Sequence, residues 1–303
     1  MSFILYFAGA KNTPADTYML EHGANRLCSQ LIDKNNIKNW VENKKPPSRL
    51  FIDSGAYTAY TKGVELNVDE YIEYLNSVTD SMEICAQLDT IPGRFNKPKT
   101  REEIREAPRL SWENYLYMRE RLNEPDKLLP IFHQGEDFKW LKNMLEWTDS
   151  KGNHIPYIGV SPAVDVPGLE SFLDMSFDII SKSSNPNVKT HAFGMTRLDV
   201  LEKYPYTSAD SATWKKNAAY GCIHSPWGLI YVGNQTRSGP LNVVKQPKHI
   251  QEKLIAYIGE CGYTLEEAVA KDTVRYIINL KYYMDWAENY EYKGKLNKVQ
   301  RLF

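Results

Sequence analysis

Short apolar runs, each ending in a polar residue or a glycine, alternate with longer amphipathic segments along most of this chain. The clearest run is Leu50-Phe51-Ile52-Asp53, followed by Ser54-Gly55-Ala56-Tyr57. A continuous apolar run closed by a turn is the pattern of a strand buried on both faces, so it predicts a strand that delivers Asp53 to the mouth of a sheet. The pattern recurs at Glu83–Asp89, Leu128–Gly135, Tyr157–Ser161, Val188–Gly194 and Tyr206–Asp210, and further strands are expected at Met1–Ala8 and Gly228–Gly233. Several polar tips meeting on one face of a sheet describe an active site.

Helical periodicity fills the intervals. Tyr18, Met19, His22, Leu27 and Leu31 predict a helix over residues 15 to 33, and Asn67-Val68-Asp69-Glu70 is an N-cap opening another through Tyr71, Ile72, Leu75 and Val78. Residues 91 to 108, punctuated by Pro92, Gly93 and Pro98, are expected to form a long loop above the sheet, and Ser111 to Leu122 a helix. Apolar spacing predicts further helices after Gln134 and Gly159 and a short one at Leu198–Leu201. Strands separated by helices imply βα units and a parallel sheet. Eight strands are expected, the closure number of the (β/α)8 TIM barrel, which carries its chemistry at the C-terminal ends of the strands. A doubly wound open sheet is the structural rival, but neither GxGxxG nor GxxxxGK[ST] is present to support a nucleotide-binding version. Beyond Gly239 the pattern is helical, with a capping box at Thr264-Leu265-Glu266-Glu267. The expected organisation is a barrel over residues 1–239 and a helical C-terminal extension over residues 240–303, packed on it.

Composition narrows the class. Hydrophobic residues make up 42% of the chain, enough for a large core. With 37 basic against 38 acidic residues the net charge is −1, so a polyanionic partner would have to be held by a local patch. Cys28, Cys85, Cys222 and Cys261 form no CxxC pair, which argues for reduced thiols rather than zinc or a disulfide framework. The first residues have no basic leader and are expected to be a strand rather than a signal peptide. No apolar run approaches the roughly 18 residues of a membrane span, so a cytoplasmic protein without membrane contact is expected.

Asp53, Asp89 and Asp210 at strand tips leave three chemistries open. Oxygen ligands can hold a metal, but His133 and His191 form no spaced ligand pair, and no metal is expected. Glycosyl transfer needs one carboxylate as nucleophile and a second group to manage the proton of the leaving group, roles open to Asp53 and Asp210. Each aspartate can instead simply cap its turn or the next helix.

Asp53-Ser54-Gly55-Ala56-Tyr57, then Leu88-Asp89, His133-Gln134-Gly135, Ile158-Gly159-Val160, Phe193-Gly194-Met195 and Ala209-Asp210-Ser211, resemble in order the barrel of the queuine tRNA-ribosyltransferase (TGT-like) superfamily. The closest resemblance is to the shorter phage-type DNA-guanine transglycosylases that insert 7-deazaguanines. The resemblance covers roughly residues 50 to 215. It implies that Asp210 is the nucleophile at the sugar C1′ and that Asp53 is the acid/base. It further implies that Asp89 and Gln134 read the guanine edge, that Gly159 gives a backbone donor to the base carbonyl, and that Tyr57 with Phe193 or Met195 stacks on the base. No cofactor is implied. The incoming base would be a 7-deazaguanine such as 7-cyano-7-deazaguanine (preQ0), and the compartment the cytoplasm, that of the host cell for a phage-encoded enzyme.

Two departures bear on the substrate. Ala56 stands where the family's turn has a second glycine, and both the Cys-x-Cys-x2-Cys zinc module and the Pro-Thr-Arg after the nucleophile are absent, Ser211-Ala212-Thr213-Trp214 standing there instead. Because that zinc module supports tRNA docking, its absence favours DNA. A base inside a duplex must be flipped out to react. Candidate phosphate contacts are Arg94, Lys97, Lys99 and Arg101 before the helix at Ser111, with Lys215, Lys216 and Arg237 after the nucleophile. The alternatives are a tRNA or RNA-guanine transglycosylase, a catalytically silent guanine-binding module and a base hydrolase.

Overall fold

The computed structural model describes residues 3–9, 14–163, 167–195, 197–233 and 242–294. Its strands are β1 (Ile4–Phe7), β2 (Asn25–Ser29), β3 (Leu50–Asp53), β4 (Ile84–Ala86), β5 (Leu128–Leu129), β6 (Ile131–His133), β7 (Tyr157–Ser161), β8 (Lys189–Ala192), β9 (Ser208–Ser211), β10 (Cys222–Ser225) and β11 (Gly228–Tyr231). The helices are α1 (Pro14–Glu21), α2 (Gln30–Asn43), α3 (Ala56–Lys62), α4 (Val68–Ser77), α5 (Arg101–Arg119), α6 (Lys139–Glu146), α7 (Leu169–Lys182), α8 (Leu198–Lys203), α9 (Thr213–Ala219), α10 (Lys248–Glu260), α11 (Leu265–Ala270) and α12 (Asp272–Glu288).

One parallel sheet runs in the order β5-β4-β3-β2-β1-β9-β8-β7-β6. Its two ends, β5 and β6, are halves of one extended run separated only by Pro130. Counting that run once leaves eight strands, and the sheet closes into a (β/α)8 barrel. Proline has no amide hydrogen to give the ladder, yet the seam holds. The Pro130 carbonyl accepts the Gly159 N–H at 2.7 Å, and the Leu129 carbonyl accepts the Gln87 N–H at 3.1 Å.

Alternation sorts the side chains into two cores. Tyr6, Leu27, Phe51, Ala86, Leu129, Ile131 and Tyr157 fill the barrel. Leu5, Cys28, Leu50, Ile52, Phe132, Ile158, Val160 and Ala209 point outward under the helices. Burial on both faces explains why these strands read as near-continuous apolar runs.

Three expectations are corrected. The segment expected to be a helix over residues 15 to 33 breaks at Gly23 (φ +66), and β2 follows. Leu27 and Leu31 fall at helical spacing, and the strand alternation is masked by Arg26, a fully buried charge whose guanidinium donates to the Phe7 carbonyl and pairs with Asp16. The strand expected at Gly228–Gly233 does not join the barrel, because β11 pairs antiparallel with β10. The loop expected up to residue 108 ends early: Thr100 and Glu103 form a capping box that opens α5 at Arg101, with Pro108 buried inside the helix.

The β10–β11 hairpin shares a third apolar cluster with α10, α11 and α12, built on Ile223, Ile230, Leu254, Ile258 and Ile278. Two polar side chains of α12 tie this unit to α9. Asn279, fully buried, accepts the His224 N–H and donates to the Trp214 and Cys222 carbonyls. Arg275 donates to the Ala218, Ala268 and Val269 carbonyls, meeting orphan acceptors at two helix ends.

Candidate active site

A cavity of about 730 Å³ opens at the C-terminal ends of the barrel strands. Asp53, Asp89, His133, Ser161, Phe193 and Asp210 line it from the barrel. Ile91, Pro92 and Lys99, with Ile104 and Pro108 of α5, form one wall.

Asp53 is the last residue of β3. The chain turns at Gly55 (φ +79), where an added Cβ would lie 2.7 Å from Ser29 Oγ and 2.8 Å from Leu31 Cβ, so only glycine fits. The turn brings the Gly55 N–H to Asp53 Oδ2 at 2.9 Å. Burial pushes the Asp53 carboxyl up to about 7; the Gly55 amide opposes that rise, and the charges of Asp210, Asp89 and Asp33 add to it. Ala56 already begins α3 and needs no glycine.

Asp210 projects inward from β9 and is buried. Its Oδ1 accepts the Gly194 N–H at 2.9 Å and lies 3.2 Å from His191 Nε2. Gly194 (φ +60), two residues past the end of β8, takes the left-handed conformation at the turn and gives its amide to Asp210. His191 is fully buried, edge-on to Phe51 and Phe193. Burial lowers its proton affinity, Asp210 opposing, and the ring is neutral near pH 7.

Asp89 follows β4 on a segment held by α5: Ser111 Oγ accepts the Thr90 N–H at 2.9 Å, and Asn114 donates to the Leu88 carbonyl at 2.9 Å. Gln87 Nε2 donates to Asp89 Oδ1 at 2.5 Å, and His133 Nε2 lies 3.1 Å from Asp89 Oδ2. Burial works against a charged His133, but the charge and hydrogen bond of Asp89, with the charge of Glu136, outweigh it and raise the ring to about 9. Gly135 (φ +100) folds the chain back so that Glu136 Oε2 accepts the His133 N–H at 3.2 Å. Burial raises the Glu136 carboxyl to about 7 against the pull of His133.

Tyr57 lies at the cavity edge, 69% exposed and open to a ligand. Phe193 forms a wall, whereas Met195 is fully buried in the outer core and does not face the cavity. Gln134 lines the cavity, but its amide also accepts the Ala163 N–H at 2.9 Å and donates to the Pro167 carbonyl at 3.3 Å. Gly159 is not at the cavity. The strand runs on to Ser161, the Gly159 N–H is taken by Pro130, and an added Cβ would lie 2.6 Å from Phe193 Cε2. Its role is to seat the Phe193 ring.

Arg94, Lys97, Lys99 and Arg101 are exposed, and of these Lys99 lines the cavity, its Nζ 5.7 Å from the Tyr60 ring centre. Lys215 donates to the Gly9 carbonyl at 2.5 Å, which ties it to the loop after β1, while Lys216 is exposed. Arg237 lies outside the described residues.

His133, His191 and Glu136 escaped the sequence-based site. The available signal was alternation: His133 shares the inward phase of Ile131, and His191 that of Phe193. Among the described residues no cluster of His, Cys, Asp and Glu is arranged to hold a metal ion, and no helix is long and apolar enough to cross a membrane. No protein-family model matches the chain, and no curated protein matches it.

Proposed function

We propose that this chain is a DNA-guanine transglycosylase that replaces guanine with a 7-deazaguanine base, such as 7-cyano-7-deazaguanine, through a glycosyl-aspartate. The observation that carries the reading is the contrast between two carboxylates in one cavity. Asp210 accepts the Gly194 N–H and lies against His191 Nε2, held in place as an oriented nucleophile would be, while Asp53 is raised to about 7, where a carboxyl can both give and take a proton.

In the first displacement an Asp210 oxygen bonds to C1′ as the C1′–N9 bond of guanine breaks, and Asp53 gives its proton to the departing base. In the second, Asp53 takes the N9 proton of the incoming base as N9 bonds to C1′ and the ester to Asp210 breaks. Protons and bonds balance over the cycle, and two displacements retain the sugar configuration.

Asp89 supports guanine selection. A carboxylate has about four lone-pair sites, and with Gln87 on one oxygen and His133 on the other each can still accept from guanine N1–H or the exocyclic amine. A 7-deazaguanine presents the same edge, so one pocket serves both bases. Tyr57 and Lys99 line the cavity together, and the half-exposed Phe95 shares its chain segment with Arg94, Lys97 and Lys99, a mixture of stacking faces and phosphate partners that an extruded nucleotide needs.

The test is incorporation of 7-cyano-7-deazaguanine into duplex DNA, single-stranded DNA and tRNA, read by nucleoside mass spectrometry with Asp210→Ala as control. Incorporation into DNA that the control abolishes is the expected result. Incorporation into tRNA alone overturns the choice of DNA, guanine release into water alone makes the enzyme a hydrolase, and base binding without release leaves a binding module.

A further inference from the structure

The barrel interior beneath Asp210 holds a line of polar groups that the two displacements leave unused. Tyr157 Oη lies 2.5 Å from Ser208 Oγ, Ser208 Oγ lies 2.6 Å from His191 Nδ1, and His191 Nε2 lies 3.2 Å from Asp210 Oδ1. Ser208 and His191 are fully buried and Tyr157 nearly so. These groups come from three neighbouring strands, β7, β8 and β9, each at an inward-facing position.

Proton accounting selects one direction along the line. Burial holds the Tyr157 phenol protonated, and Ser208 Oγ is the acceptor within reach. With Tyr157 donating to Ser208, Ser208 donates to His191 Nδ1, and the remaining ring proton sits on Nε2, pointing at Asp210. Every proton then has an acceptor. In the reverse direction Asp210 would need a proton of its own to meet a bare Nε2, and the phenol hydrogen would be left buried without a partner, an arrangement that folded proteins avoid.

We propose that Tyr157 and Ser208 fix His191 as the neutral Nε2–H tautomer, making it a positioning residue that orients the Asp210 carboxylate by its Oδ1 and leaves Oδ2 for attack. The kinetic part of this inference rests on the transglycosylase reading; the tautomer does not. The histidine touches only the aspartate and acts through it, as an orienting group acts on a metal ligand or a catalytic imidazole.

The experiment has two arms. Long-range 1H–15N correlation on protein labelled in histidine reads the tautomer directly: an Nε2–H pattern for His191 is expected, and an Nδ1–H or doubly protonated pattern overturns the proposal whether or not any base is exchanged. In the second arm, kcat and KM for exchange are measured for Tyr157→Phe, Ser208→Ala, His191→Leu and His191→Gln, with thermal unfolding of each. Ser208→Ala is expected to lower kcat roughly 10- to 100-fold with KM for the base little changed. His191→Gln, which returns an N–H near the position of Nε2, is expected to recover part of what His191→Leu loses. Variants that exchange like wild type, or that lose kcat only in step with their unfolding midpoint, overturn the positioning role. Tyr157→Phe removes a single hydroxyl and keeps the test open should the histidine variants fail to fold. A wild-type protein that exchanges no base in any nucleic acid refutes the transglycosylase reading instead, and the spectroscopic arm still decides the tautomer.

Discussion

Asp53 and Asp210 are electrostatically coupled across one cavity: burial lifts the Asp53 carboxyl to about 7, and the charge of Asp210 adds to that lift against the Gly55 amide. The proposed reaction and the stability of the fold both inherit a pH dependence from this pair. With Asp53 as the proton donor to departing guanine, kcat/KM is expected to fall as pH rises through about 7, and Asp53→Asn should remove that limb with most of the activity. The sign for stability follows from linkage. A carboxyl with a folded value near 7 and an unfolded value of about 3.9 binds more protons when folded, so its contribution is lost as pH rises from about 4 to 7. Asp53→Asn is therefore expected to be more stable than wild type above pH 7, with the gap closing toward pH 4, as measured by denaturant unfolding.

His133 titrates the other way. Its ring is raised to about 9 by Asp89 and Glu136 against burial, so the ion pair with Asp89 is fully present below about 6.5 and lost as pH rises through 9. The side chain is 39% exposed and the stability effect should be small. Base recognition is the better readout: His133→Gln is expected to raise KM for the incoming base roughly tenfold, the loss of one charged hydrogen bond, and to erase any rise in KM between pH 8 and 10.

Two glycines separate fold from pocket. Gly55→Ala forces a side chain into the left-handed region and against Ser29 and Leu31, and is expected to cost on the order of 1–3 kcal/mol. Gly159→Ala meets the Phe193 ring at 2.6 Å and should displace it, weakening base binding with a smaller loss of stability. Unfolding midpoints and base affinity of the two variants, measured side by side, check the contrast.

Salt dependence tests the mouth. Replacing Arg94, Lys97, Lys99 and Arg101 with glutamine is expected to weaken binding to DNA of any sequence and to reduce the slope of log K against log salt by roughly 0.9 for each phosphate no longer neutralised. A slope equal to that of wild type would remove these residues from the nucleic-acid surface.

Strands with both faces buried announced themselves, because apolar side chains were required on either side of β3 and β7. The acidic tips followed from the same runs. What stayed hidden was decided by tertiary partners. Arg26 is held in a strand by Asp16 and the Phe7 carbonyl among its partners, and β11 pairs with β10 rather than with the barrel. The start of α5 was written locally in Thr100 and Glu103, and the prolines of that stretch obscured it. Motif order alone misplaced Gly159, two positions down β7 from Ser161 at the cavity edge, and Met195, which the turn at Gly194 sends to the outer core.

Asn279 and Arg275 carry a consequence for how this protein can be divided. Both reach from near the end of the chain to the helix that immediately follows Asp210, one gripping its first turn through Trp214 and the other its last through Ala218. The strand that carries Asp210 is thus splinted from outside the barrel by residues more than sixty positions downstream. Cutting the gene after the eighth barrel strand would leave the inner ring of side chains complete and the corner that holds Asp210 without a brace.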